Sequence, residues 1–269
     1  MVINENEVHL WHIFYEKIKT PNILAEYHRL LSREEKEQLG KFYFQRHQHR
    51  YLVTRAALRT VLSSYERGIS PSKWVFDRSS HGKPAIANLS LSIPLRFNLS
   101  HTEKLIVVGV TLENDIGVDA EYTDDERKTI DIARRFFSEV EVDELLQLPS
   151  EKQRTRFFDL WTLKEAYVKA RGMGLSIPLD RFHFRFPGNE QIEFSVDANL
   201  NDQPDLWRFW LIRPGDSHRI SVALRSTVGT VPHALSMYEI TPLVSAKKID
   251  RQIERCSDRY VSKGQKTSD

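Results

Sequence analysis

Two distant segments of the chain repeat one local plan, in which a strand pattern, a polar loop and a second strand pattern follow one another. The first segment covers residues 96–110 and the second covers residues 208–224. Their separation is far longer than the period of a stacked repeat protein, so the pattern predicts two similar α+β halves. After Ser226 we expect the chain to be peripheral, and residues 247–269 are polar enough to fray.

Local signals divide the rest of the chain into helices and strands. Helix starts are predicted where Ser or Thr precedes an acid by three residues, at Ser32, Thr123 and Ser138. One helix is expected over about residues 48–64 and a longer one over about residues 151–171. Strands are predicted over residues 8–15, 74–77, 96–100, 105–111, 116–122, 182–186, 191–196, 206–213 and 219–225.

Composition excludes several classes of protein. A net charge of +2, with 40% hydrophobic and 28% charged residues, is typical of a folded chain. The single cysteine, Cys256, excludes an internal disulfide framework and a multi-cysteine zinc site. The apolar run at residues 105–110 is far shorter than the ~18 residues of a membrane span. Glu5 and Glu7 argue against a signal peptide, so we expect a reduced, cytoplasmic compartment.

A basic stretch lies near the middle of the first half. There is no acid between Glu37 and Glu66. Such a local excess of cations is typical of a surface that binds phosphate or an acidic partner. The alternative is a solvated helix whose arginines cover its own apolar side. The cations of the stretch are Lys41, Arg46, Arg50, Arg55 and Arg59.

Two groups of charged residues have the spacing of a metal or phosphate site. On a strand, Asp119 and Glu121 would face the same side, where two carboxylates repel each other unless they share a proton or a cation. On the long helix, Trp161, Glu165 and Lys169 are four residues apart and would share one face. A third carboxylate would complete a Mg²⁺ site, and the lysine could meet a phosphate. The alternative interpretation is that the two strand acids are simply solvated, that Glu165 and Lys169 form an ordinary helical ion pair, and that Trp161 lies in the core.

Two smaller motifs carry polar groups on turns. Ser100-His101 lies at a predicted strand end, but no G-x-S-x-G motif supports a hydrolase. Hydrogen bonding to an anion, or an ordinary polar loop, is the more reasonable interpretation. The turn Gly82-Lys83-Pro84 presents an ammonium group on a rigid loop.

In their order along the chain, these pieces resemble the Sfp-type 4′-phosphopantetheinyl transferase family. The similarity extends over about residues 32–179 and more weakly to about residue 224. Each motif alone is common, whereas the ordered set is specific. The motifs are His49-Arg50, Gly82-Lys83-Pro84, the six residues Phe97 to Thr102, the five residues Gly117 to Glu121, Arg135-Phe136-Phe137-Ser138, Glu141, Trp161 to Lys169, and Gly172 to Leu175.

The resemblance implies a fold and an activity. The protein would be a monomer with two similar α+β subdomains in a pseudo-twofold arrangement. The subdomains would cover residues 1–114 and 115–226, and a peripheral tail would cover residues 227–269. The activity would be transfer of the phosphopantetheine arm of coenzyme A to a serine of an apo acyl, peptidyl or aryl carrier protein, with release of 3′,5′-ADP. No nucleic acid or membrane partner is implied.

The resemblance also implies site residues. Mg²⁺ would be held by Asp119, Glu121 and Glu165, together with the coenzyme pyrophosphate. Glu165, or a water that it holds, would be the base for the carrier serine, and Lys169 would assist the charge transfer. The coenzyme contacts would come from Arg50, Lys83, Ser100, His101 and Lys169, with Asp119 reaching the pyrophosphate through the metal.

The chain departs from the family pattern before His49-Arg50. Better-studied members have further lysines there, where this chain has Glu35 and Gln38, and Ala120 replaces a more usual branched residue. Two other functions fit parts of the pattern. A metal-dependent nuclease or phosphohydrolase would use the same acids without coenzyme A. A module that binds nucleic acid would use the basic stretch and would survive loss of Asp119.

Overall fold

A computed structural model describes residues 1–226 and 233–257 of the chain. These residues form six α-helices: α1 (Pro21–Leu30), α2 (Arg33–Gly40), α3 (Gln45–Tyr65), α4 (Thr129–Phe136), α5 (Glu139–Leu146) and α6 (Ser150–Arg171). The strands are β1 (Glu7–Ile13), β2 (Phe76–Arg78), β3 (Pro84–Ile86), β4 (Leu95–His101), β5 (Ile106–Leu112), β6 (Asp115–Tyr122), β7 (Phe182–Arg185), β8 (Glu193–Val196), β9 (Trp207–Arg213), β10 (His218–Arg225), β11 (Ala234–Thr241), β12 (Ser245–Ile249) and β13 (Gln252–Cys256).

Two sheets organise the fold, which confirms the α+β class. One sheet has the order β12-β11-β1-β5-β4, and the other has the order β13-β9-β10-β6. Both contain a predicted hairpin, β4–β5 or β9–β10. In each half the first strand pairs antiparallel with the second strand of that hairpin, β1 with β5 and β6 with β10. The halves thus share one strand order, while the twofold rotation between them stays a prediction.

The two sheets pack face to face between the two long helices. Helix α3 covers the outer face of the first sheet, where Leu58 and Val108 belong to one apolar cluster. Helix α6 covers the outer face of the second sheet. Between the sheets, Val107 and Val118 lie in a third apolar cluster. This arrangement places β6 between the first sheet and α6, so its side chains meet both.

The prediction of a peripheral segment after Ser226 is wrong for residues 233–257. Strand β11 pairs in parallel with β1, and the side chains of Leu235, Met237 and Ile240 are buried. Strand β13 extends the second sheet beside β9. The pairing of β11 with β1 joins residues more than two hundred positions apart, so no local sequence pattern predicts it. The predictions for residues 227–232 and 258–269 lie outside the described residues.

The helix predicted to start at Thr123 is also absent. Residues 123–128 form a turn and an irregular stretch, and α4 begins only at Thr129. Arg154 on α6 donates to the carbonyl oxygens of Thr123, Asp125 and Arg127. These bonds satisfy backbone groups that a helix would otherwise have used.

The helix starts at Ser32 and Ser138 are confirmed, each with a reciprocal capping box. No helix among the described residues is long and apolar enough to cross a membrane.

A buried histidine in β1 makes the stability of the fold depend on pH. His12 has no exposed surface, and burial lowers its pKa from 6.5 to about 4 despite a 3.3 Å contact between Nδ1 and the Tyr238 carbonyl. The charges that face it are those of Arg251, which lowers the pKa further, and Glu239, which raises it. Protonation therefore favours the unfolded chain, and stability is lost as pH falls from about 6.5 to about 4.

We expect His12→Leu to remove this dependence. Over that pH range the wild-type free energy of unfolding should fall by about 3 kcal/mol more than that of the variant. Urea unfolding at pH 7 and at pH 4 measures the difference. His28→Gln, at an exposed histidine on α1, is the control and should behave as the wild type. Equal pH dependence in His12→Leu and the wild type would contradict the assignment.

Candidate active site

Asp119 on β6 is the centre of a polar cluster where the two sheets and α6 meet. Its side chain is buried, and Oδ1 accepts hydrogen bonds from Ser100 Oγ at 3.0 Å and from Lys169 Nζ at 2.5 Å. Lys169 Nζ also donates to Ser100 Oγ at 3.0 Å. Three separate segments, β4, β6 and α6, therefore supply one connected group. Sequence reasoning named all three residues, and the structure brings them together.

Close backbone packing brings α6 to this strand. A Cβ atom on Gly117 would lie 2.0 Å from the Ala166 carbonyl oxygen and 2.4 Å from the Ala170 nitrogen. Only glycine allows β6 and α6 to approach so closely. On the neighbouring strand β4, Asn98 Oδ1 accepts a hydrogen bond of 2.9 Å from the Val118 nitrogen and fixes β6 from the other side.

Glu121 and Glu165 lie near Asp119 and experience its charge. Burial, and then the charge of Asp119, raise the pKa of both carboxyl groups. Glu121 accepts a hydrogen bond of 3.0 Å from Arg127, which acts against this rise. Carboxyl groups whose ionised forms are disfavoured by burial and by a neighbouring negative charge are a suitable environment for a cation.

Within residues 1–226 and 233–257, no three His, Cys, Asp or Glu side chains form a metal-binding group. Lys169 and Arg127 instead neutralise two of the acids. Carboxylate oxygens are nevertheless the donors that a hard divalent cation prefers. Asp119 Oδ2 is buried and has no hydrogen-bond partner among the described residues, so one carboxylate oxygen remains available to a ligand.

Cationic and neutral donors border this cluster on the side of α3. Desolvation, and then the positive charge of Arg50, lower the pKa of His101, to which Lys169 also contributes. At neutral pH the imidazole is therefore a neutral hydrogen-bonding group that experiences the charge of two cations. Arg50, His101 and Lys169 together form a surface suited to an anion.

Lys83 takes a role that the sequence did not indicate. Its Nζ donates to the carbonyl oxygens of Ile116 at 3.1 Å and of Ala170 at 2.9 Å. Burial lowers the pKa of its ammonium group. A lysine on the β2–β3 turn thus ties the start of β6 to the end of α6. It also lines a pocket of about 290 Å³ with Glu165 and Lys169.

We expect Lys83→Met to destabilise the protein in the absence of any ligand. Two charge-assisted hydrogen bonds are lost, so the free energy of unfolding should fall by about 2 kcal/mol, which corresponds to about 6 °C in Tm. Thermal unfolding of the ligand-free protein measures this change. Lys73→Met, at an exposed lysine, is the control. An unchanged Tm together with a raised KM for coenzyme A would instead assign Lys83 to the coenzyme alone.

The basic stretch divides into two parts. Arg55 and Arg59 on α3 form ion pairs with Glu35, and Arg59 is buried, with further bonds to the carbonyls of Pro71 and Trp74. These two arginines stabilise the fold and carry little free charge. Sequence reasoning missed this because Glu35 lies just outside the acid-free stretch. Only the cations at the beginning of α3 fit the predicted electropositive surface.

The sequence also did not predict the buried ion pair between Lys164 and Glu141. Lys164 and Glu141 have fully buried side chains, with Nζ 2.7 Å from Oε2. Lys164 also donates to the carbonyls of Leu179 and Phe182 at 2.7 Å. Glu141 closes the capping box of α5 and accepts a hydrogen bond from the Phe184 nitrogen. These contacts give both residues a structural role, and the spacing of Glu141 after Ser138 was the available signal.

The fold and the site together define an α+β protein in which acids, a lysine and small polar groups converge where β4, β6 and α6 meet. Models of two families match the chain, that of the 4′-phosphopantetheinyl transferase superfamily over residues 115–223 and that of the 4′-phosphopantetheinyl transferase N-terminal region over residues 20–112. The chain belongs to the 4′-phosphopantetheinyl transferase family, whose members are enzymes that use coenzyme A.

Similar proteins come from bacteria and from an animal. The chain is 35% identical to 4′-phosphopantetheinyl transferase HetI of Nostoc sp. (strain PCC 7120), over 65% of this chain and 73% of the relative. It is 31% identical to 4′-phosphopantetheinyl transferase Sfp of Bacillus subtilis, over 69% and 79%. It is 27% identical to the L-aminoadipate-semialdehyde dehydrogenase-phosphopantetheinyl transferase of Xenopus laevis, over 76% and 70%.

Proposed function

We propose that the protein transfers the 4′-phosphopantetheine group of coenzyme A to a serine of an apo carrier protein at the Asp119–Lys169 site. The observation that carries this proposal is the contact of Asp119 with both Ser100 and Lys169, bordered by Arg50 and His101. It places cations and hydrogen-bond donors beside acids, as transfer of a charged phosphoryl group requires. Family membership supports the same reaction.

Coenzyme A would occupy two pockets that meet at Pro84. One is the pocket of about 290 Å³ beside Glu165 and Lys169. The other, of about 560 Å³, lies between α2, α3 and β2 and is lined by Tyr51 and Gln38 among others. We propose that the pyrophosphate lies nearer Lys169, with Arg50, Lys83, Ser100 and His101 as its contacts, and that the nucleotide end extends into the second pocket.

Mg²⁺ would be held by Asp119, Glu121 and Glu165. When bound it would supply positive charge to the pyrophosphate oxygens and relieve the mutual repulsion of the three acids. The unpartnered Oδ2 of Asp119 supports this assignment. Lys169 would then neutralise charge on the phosphate that leaves.

In the proposed reaction, the carrier serine oxygen forms a bond to the phosphorus that carries pantetheine. The bond between this phosphorus and the oxygen retained by 3′,5′-ADP breaks. The serine proton goes to the Glu165 carboxylate or to a water that it holds. Burial and the charge of Asp119 raise the pKa of Glu165, which makes it a better proton acceptor than an exposed glutamate.

The remaining proposals concern the subdomains, the oligomeric state and the location of the protein. We propose subdomains over residues 1–114 and 115–226 in a pseudo-twofold arrangement, with the site between them. We propose a monomer that acts in the cytoplasm, consistent with its single cysteine, and that uses neither nucleic acid nor a membrane as a substrate. The pairing of Arg55 and Arg59 with Glu35 weakens the alternative of a nucleic-acid module, because it removes charge from the basic helix.

Intact-mass measurement tests the proposal. Several purified apo carrier proteins are incubated with coenzyme A and Mg²⁺, with and without the protein. We expect a mass gain of one phosphopantetheine group on the carrier and release of 3′,5′-ADP, both abolished by EDTA. A nuclease or phosphohydrolase would instead cleave nucleic acid or a phosphate ester in the absence of coenzyme A.

A further inference from the structure

Two aromatic side chains between α2 and α3 are exposed to solvent. Tyr43 is 90% exposed and Phe44 is 52% exposed, and their rings meet edge to face at 5.1 Å between centroids. The Arg46 guanidinium lies 5.4 Å from the centre of the Phe44 ring. Lys41 is exposed beside them. Large apolar groups exposed together with cations are typical of an interaction surface. We call Lys41, Tyr43, Phe44 and Arg46 the aromatic–basic patch.

The positive charge of this patch is not compensated within the described part of the chain. Lys41 and Arg46 form no ion pair with a described acid, whereas Arg55 and Arg59, further along α3, are paired with Glu35. The cations at the beginning of α3 are therefore available to an acidic partner. Steering by such charges raises the rate of encounter and depends on salt.

The patch lies beside the candidate active site. Arg46 precedes Arg50 by one helical turn, a rise of about 6 Å, and Arg50 lies near enough to His101 to lower its pKa. A protein whose serine reaches Asp119 and Lys169 would cover about 800 Å² of this surface, which corresponds to a radius of roughly 16 Å.

On the same first turns of α3, His49 Nε2 lies 2.9 Å from the Tyr15 carbonyl oxygen. The Tyr15 hydroxyl in turn accepts a hydrogen bond of 3.1 Å from the backbone nitrogen of Lys104, three residues after His101. The beginning of α3, which carries the patch, is therefore joined to the loop that follows His101.

We propose that the aromatic–basic patch docks the carrier protein, by receiving an apolar side chain on Tyr43 and Phe44 and acidic side chains on Lys41 and Arg46. This inference rests on the proposed function and adds a surface for the protein substrate. Neither Tyr43 nor Phe44 lines the two pockets that meet at Pro84. The patch is therefore assigned to the carrier protein and not to coenzyme A.

A binding measurement separates docking from chemistry. The probe is a carrier protein that the wild type modifies, prepared with its acceptor serine replaced by alanine so that no transfer occurs. For the double variant Tyr43→Ala/Arg46→Ala, we expect the Kd for this probe to rise about tenfold or more. The Kd for coenzyme A should be unchanged, and the binding of the probe should lose part of its salt dependence.

The matched control is Leu89→Ala/Arg67→Ala, which removes an exposed apolar residue and an exposed arginine beyond the opposite end of α3. Its Kd for the probe should equal that of the wild type. An unchanged Kd in the Tyr43/Arg46 variant would overturn the inference, as would a weaker affinity for coenzyme A, which would assign the patch to the nucleotide. If the wild type modifies no carrier, the proposed function itself fails.

Discussion

Replacing Asp119 by asparagine should lower kcat/KM for transfer to a carrier protein by about a thousandfold or more. The asparagine oxygen can still accept the hydrogen bond from Ser100, so the fold should remain. What is lost is the negative charge that pairs with Lys169 at 2.5 Å and the carboxylate that would hold the metal. Initial rates from the mass assay, with Tm measured in parallel, test the expectation.

Asp115→Asn is the matched control for that experiment. Asp115 starts the same strand but is exposed, so its loss should leave the rate near that of the wild type. Calorimetric titration with Mg²⁺ and coenzyme A gives a second readout, and Asp119→Asn should bind the metal more weakly. Wild-type activity in Asp119→Asn would remove the carboxylate from the mechanism.

The second large effect is expected from a substitution that disturbs the packing of α6 against β6. A Cβ atom introduced by Gly117→Ala would overlap the backbone of Ala166 and Ala170, neither of which can rotate away. Helix α6 must then move from β6, carrying Glu165 and Lys169 with it. We expect the free energy of unfolding to fall by about 3 kcal/mol or more, a decrease in Tm of about 9 °C, and transfer activity to fall with it.

Gly215→Ala controls for the loss of a glycine as such. No atom lies within 4 Å of the Cβ position at Gly215, so this variant should have nearly the wild-type Tm. If Gly117→Ala unfolds at the wild-type temperature, the close approach of β6 and α6 is not a requirement of the fold.

The sequence predicted the local geometry of the candidate site well. Alternation along β6 placed Val118 and Ala120 on one side, and both lie in the apolar cluster between the sheets. The spacing along α6 placed Glu165 and Lys169 on one face, and both are half-buried beside the same pocket. These predictions succeeded because side-chain direction follows from backbone periods that span only a few residues.

Predictions that depended on distant partners were less successful. The charge of the basic stretch could not be judged without knowing that Glu35 pairs with Arg55 and Arg59. Lys83 was identified as an ammonium group on a turn, but its bonds to the carbonyls of Ile116 and Ala170 depend on the packing of two halves. An ion pair or a carbonyl contact has no sequence period, so its existence is decided by tertiary structure.

The amino-acid sequence by itself determined most of the helices and strands within residues 1–226, the two hairpins and the residues that belong to the family motifs. Helix caps, the alternation of side chains along strands and the spacing of residues along helices depend on only a few neighbouring residues. The same sequence patterns therefore indicate the same local structure in any fold. Only the tertiary structure decided that β11 inserts beside β1, that Gly117 lets α6 reach β6, and that Lys169 and Ser100 share one oxygen of Asp119. Each of these features joins distant parts of the chain. The burial of apolar faces selects which strands and helices pack together. The buried polar groups must then find their hydrogen-bond partners within that packing.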